Sequence, residues 1–106
     1  MNRPIYLVVN KNKIILTAPW VTPYGTIPKG FISDGVSVPW IFRWFIHKRG
    51  SLLFAAIFHD WAYQTSYKTK AYADNSFYKI AIHTKANVFK AKIAYLAVKH
   101  FGKGNY

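Results

Sequence analysis

The chain has no cysteine and no glutamate. Without thiols it can form no disulfide, no thiolate zinc site and no cysteine nucleophile. Without glutamate, all carboxylate side-chain chemistry falls to Asp34, Asp60 and Asp74, since Asp+Glu totals 3 against a Lys+Arg total of 15. The formal net charge of +12 favours an anionic partner, whether nucleic acid, an acidic membrane surface or a polyanionic wall. No hydrophobic run approaches the ~18 uninterrupted residues of a membrane-crossing helix. The first apolar run stops at Val9, too short for a signal-peptide core followed by a cleavage site. P-loop, G-x-S-x-G and C-x-x-C patterns are missing too, so nucleotide hydrolysis and serine-hydrolase chemistry have no support.

What remains is a 106-residue chain, 52% hydrophobic and 19% aromatic. That length fits a single domain, 1–106, with one modest core. The pattern is α+β. Ile5 to Val9 and Ile14 to Thr17 flank the turn cluster Asn10-Lys11-Asn12-Lys13, which predicts a hairpin. Pro19, Pro23 and Pro28, with Gly25 and Gly30, restrict the next stretch to loops and edge strands. A short helix is expected from Pro39 to about Ile46, a longer one from Ser51 to about Thr65, and another from about Tyr72 to Lys85. A last helix is capped by Asn87 and turns Phe89, Ile93, Leu96 and Ala97 inward. The hairpin and loops thus pack on three main helices and one short one.

The helix beginning at Ser51 places Ala55, Ala56, His59, Ala62 and Tyr63 on one face, where the alanines admit a close neighbour. His59 and Asp74 lie 15 residues apart on either side of a bend near Lys68, so an antiparallel helix pair sets them opposite one another. A carboxylate on one ring nitrogen of histidine fixes the tautomer and leaves the other as a general base. Asp60 points about 100° further round its helix and can meet Asp34, delivered by the preceding loop. Two converging carboxylates in a basic chain suit a hard cation, with carbonyls near Gly35 as further ligands. Capping and turn duty is the competing role for Asp34 and Asp74.

The run Asp34-Gly35-Val36-Ser37, the helix residues Ala56, His59, Asp60 and Tyr63, and then Asp74-Asn75-Ser76-Phe77 resemble phospholipase A2. The likeness is to the small prokaryotic and fungal enzymes and to the lipase domain of parvovirus capsids, and covers roughly residues 32–80. It implies a helical hairpin in which His59 is the general base, Asp74 its orienting partner and Tyr63 a support for that aspartate. Asp60, Asp34 and a carbonyl of the Gly35 region would hold calcium. The family's two cysteines fall at Val36 and Ala56, so packing would replace a disulfide. The chain also resembles a family of short, uncharacterised phage and prophage proteins, through its SDGVSVPW, HDWAY and ADNSF blocks.

These resemblances imply a phage protein, in the virion or the infected bacterial cell, that hydrolyses phospholipid esters with calcium at a membrane. The alternative is a non-enzymatic virion or structural protein whose basic surface binds nucleic acid, membrane or another virion component. Lys85, Lys92 and Lys99 recur every seven residues with Lys103 just beyond, which makes a basic stripe on the last helix, either a solvated face or a contact to phosphate of lipid or nucleic acid. Trp40 and Trp44, with Phe42 and Phe45 among basic residues, suit an interfacial membrane helix or core packing. His47, His83 and His100 read as surface or helix-end residues.

Overall fold

A computed structural model describes residues 2–10, 13–34 and 51–101. The expected short helix over 39–46, Gly35, His47 and Lys103 lie outside these residues. The described chain is α+β: antiparallel strands come first and helices follow. The strands are β1 (Tyr6–Asn10), β2 (Lys13–Leu16), β3 (Trp20–Thr22), β4 (Gly25–Ile27) and β5 (Ile32–Asp34). The helices are α1 (Ser51–Thr65), α2 (Lys70–His83) and α3 (Val88–Phe101).

The expected hairpin forms, pairing Tyr6 with Leu16, Leu7 with Ile15 and Val8 with Ile14. β5 adds to the other edge of β2, opposite Lys13, Ile14 and Ile15. Pro19, Pro23 and Pro28 keep out of this three-stranded sheet. Pro19 precedes β3, Pro23 sits in the turn joining β3 to β4, and Pro28 follows β4. Thr22 tightens that turn: its Oγ1 accepts from the Tyr24 and Gly25 amides at 3.2 and 3.0 Å and donates to the Gly25 carbonyl at 2.6 Å. Gly25 is needed for close approach. A Cβ there would meet the Tyr67 ring at 3.1 Å and the Trp61 ring at 3.3 Å. The Tyr72 hydroxyl donates to the Tyr24 carbonyl at 2.8 Å, which fastens the same turn to α2.

α1 is buried almost all round. From Phe54 to Tyr63 only Asp60 is more than marginally exposed, as suits a helix enclosed by neighbours. It packs on α2 and on β5, while α2 packs on α3. The core lies between strands and helices, where Leu16, Trp20 and Ile27 join Ile57, Phe58, Phe77 and Ile80. The link after α1 is tight, with Ser66 and Lys68 at positive φ (52° and 56°). Thr69 then caps α2, its hydroxyl accepting from the Tyr72 amide at 3.0 Å. This cap starts α2 at Lys70, ahead of the expected Tyr72, and the helix ends at His83 rather than Lys85.

The inward face of α3 differs from the expectation. Phe89, Ile93 and Leu96 are exposed, and Ala97 is half-buried. Ala91, Ala94 and Val98 are buried instead. Both sets recur at steps of three and four, on opposite sides of the helix. The small set lets α3 lie close on α2, and the larger side chains are left outside. Asn87 caps α3 as expected, its Oδ1 accepting from the Lys90 amide at 3.2 Å.

Candidate functional site

His59 comes from the inner face of α1 and Asp74 from the facing side of α2. The tight link between the helices brings His59 Nε2 to 2.8 Å from Asp74 Oδ1. Tyr63, one helical turn beyond His59, donates its hydroxyl to the same oxygen at 2.6 Å. Lys70, one turn before Asp74, donates to Oδ2 at 2.8 Å. His59 and Asp74 are 6% and 3% exposed, so these bonds form largely out of water, where they are strong. The Tyr63 ring lies 4.0 Å from the His59 ring, and the Phe77 ring meets it edge-on at 5.6 Å.

Burial pushes the Asp74 carboxyl up. Hydrogen bonds from His59, Lys70 and Tyr63, with the charge of His59, outweigh burial and hold it below its ordinary value. Asp74 is therefore an acceptor-only carboxylate, and His59 Nε2 must be the donor. Whenever the ring is neutral, its lone pair therefore sits on Nδ1. Among the described residues no group bonds Nδ1. The arrangement can accept a proton at Nδ1 and stabilise the resulting cation through Nε2.

Asp60 is half-buried on another side of α1. Its Oδ2 accepts from Ser33 Oγ at 2.8 Å and its Oδ1 from Gln64 Nε2 at 3.1 Å. Ser33 belongs to β5, the strand that ends in Asp34, whose backbone pairs with Lys13. The Asp34 side chain and Gly35 lie outside the described residues. Among those residues no three His, Cys, Asp or Glu side chains gather as a metal cluster.

Lys85, Lys92 and Lys99 are all exposed. Only Lys92 and Lys99 share a helix, because the chain turns at Lys85 (φ 68°) before α3 begins. The seven-residue spacing thus does not make one helical stripe of the three. His83 and His100 are exposed in the last turns of α2 and α3. Lys70 is a member of the site that the sequence motifs do not mark. Its ammonium also meets the carbonyls of Lys99 at 3.0 Å and Val98 at 3.4 Å, so one cation joins Asp74 to the end of α3. The signal is the four-residue step from Lys70 to Asp74, which becomes visible once Thr69 is read as the cap.

A protein-family model described as "Protein of unknown function (DUF1353)" matches residues 17–98, more than half of the chain. The chain belongs to the DUF1353 family. In this DUF1353 protein the matched span holds Ser33, Asp60 and the whole His59–Tyr63–Lys70–Asp74 cluster, while β1 and β2 precede it. No curated protein and no solved structure matches the chain. No helix among its described residues is long and apolar enough to cross a membrane.

Proposed function

We propose that this DUF1353 protein hydrolyses a phospholipid ester with His59 as general base. The one-sided engagement of the His59 ring carries the reading: Nε2 is committed to Asp74, and Nδ1 bonds no described residue. Nδ1 takes a proton from water as the water oxygen attacks the ester carbonyl. Asp74 stabilises the imidazolium, which then returns the proton to the departing alkoxide. The products are a fatty acid and a lysophospholipid, with water the only co-reactant. Tyr63 and Lys70 position Asp74 and thereby hold the tautomer. The order of the DG, HD-x-x-Y and D-x-x-F blocks supports the phospholipase A2 comparison, and the longer blocks around them support a phage origin.

The donors near Asp60 suit a hard cation in kind. The Asp60 carboxylate and the Ser33 hydroxyl are both oxygen ligands. Asp60, Asp34 and a Gly35 carbonyl would hold calcium, which when bound supplies positive charge toward a developing oxyanion. The test is fatty-acid release from anionic vesicles with calcium or with a chelator. Release that the chelator stops, and that Asp60→Asn shifts to higher calcium, is expected. No release at any calcium level from folded protein overturns the proposal.

The second reading is a non-enzymatic phage protein in which the same residues form a structural network. The three donors on buried Asp74 favour it. It predicts that His59→Ala lowers stability sharply and that calcium leaves the melting temperature unchanged.

A further inference from the structure

We propose that the outer face of α3 docks the protein onto an anionic lipid bilayer. This rests on the phospholipid reading above and deepens it by naming the surface that meets the lipid. Phe89, Ile93 and Leu96 follow one another at steps of four and three, so they form one stripe along the helix. They are 73%, 37% and 44% exposed. The stripe lies opposite the buried set Ala91, Ala94 and Val98, so packing on α2 leaves it facing outward. Lys90 flanks it on one side and Lys92 and Lys99 on the other, all exposed. α3 carries no acidic residue.

An apolar stripe between rows of lysine suits a helix lying in the plane of a bilayer, with its large side chains at the acyl boundary and its ammonium groups at the headgroups. The charge selects the occupant. A second copy of a +12 chain would bring like-charged rows together, whereas anionic headgroups neutralise them. Nucleic acid would engage the lysines and leave Phe89 and Leu96 without an apolar partner. Lys70 ties the last carbonyls of α3 to Asp74, so the docked helix is joined directly to the His59 cluster.

The experiment is co-sedimentation of the full chain with vesicles of equimolar phosphatidylcholine and phosphatidylglycerol, with pure phosphatidylcholine vesicles and a short DNA duplex as comparisons. Binding is expected to the anionic vesicles alone, and to weaken as salt rises. The double variant Phe89→Ser/Leu96→Ser should weaken it by roughly tenfold or more, with an unchanged melting temperature because both side chains are exposed. Lys92→Gln/Lys99→Gln should weaken binding and flatten its salt dependence. His59→Gln should bind as the wild type does, which separates docking from turnover. Vesicle binding unaffected by Phe89→Ser/Leu96→Ser would overturn the proposal, as would no vesicle binding or a preference for the duplex.

Discussion

Lys70 reaches Asp74 Oδ2 at 2.8 Å and the Lys99 carbonyl at 3.0 Å with the same ammonium group. It therefore compensates the buried carboxylate and satisfies a carbonyl at the end of α3, where a cation is favoured. Lys70→Met should cost about 1–2 kcal/mol, since a charged hydrogen bond to a buried carboxylate is lost while solvent partly screens the ammonium. Chemical denaturation measures that loss. Hydrogen exchange should show the last turn of α3 opening more readily.

The depressed Asp74 pKa makes a pH prediction with a definite sign. A carboxyl held below its unfolded value contributes stability that is complete above that value and is lost as pH falls through the folded one. Asp74 should therefore add stability at neutral pH and lose that contribution on acidification below its ordinary value of 3.8. Asp74→Asn should be less stable than wild type near neutrality, and the gap should close in acid. Denaturation midpoints across that range check it.

Tyr63→Phe removes one donor from Asp74 and keeps the ring against His59. The expected cost is roughly 1–2 kcal/mol. Ester hydrolysis should fall but persist, because Nε2 still has its carboxylate. Kinetics beside a melting curve separate the two effects.

Gly25→Ala tests the packing of the β3–β4 turn on α1 and the α1–α2 link. The added methyl would press on the Tyr67 and Trp61 rings, so a loss of about 1–3 kcal/mol is expected from overpacking. Thermal unfolding measures it. Far-UV circular dichroism should be unchanged.

Much of the architecture is legible in local chemistry. The Asn10–Lys13 cluster announces the first hairpin, and the alanine-lined face of α1 marks the helix that α2 covers. The meeting of His59 and Asp74 follows from helix periodicity and the short link between them. The inward face of α3 is not legible in the same way, because Phe89, Ile93 and Leu96 have the same period as Ala91, Ala94 and Val98. Hydrophobicity points to the larger set, while close helix packing selects the smaller. Lys70 is hidden for another reason: a helix starting at Tyr72 leaves it in the loop, and only the Thr69 cap moves it onto α2. The aspartate pattern brings the Asp34 segment toward Asp60, but as a loop; that it is a strand paired with β2 depends on contacts over a long sequence distance, which no local pattern encodes.

All the proposed chemistry depends on His59 removing a proton from water. The most direct test is the rate of fatty-acid release from vesicles of phosphatidylcholine and phosphatidylglycerol, measured for wild type and for His59→Gln with calcium present. Glutamine can keep one hydrogen bond to Asp74 but cannot act as the base. Release by the wild type is expected, with none from a variant that circular dichroism shows to be folded. Equal release by both proteins, or none by the wild type, would contradict the role of His59 as base.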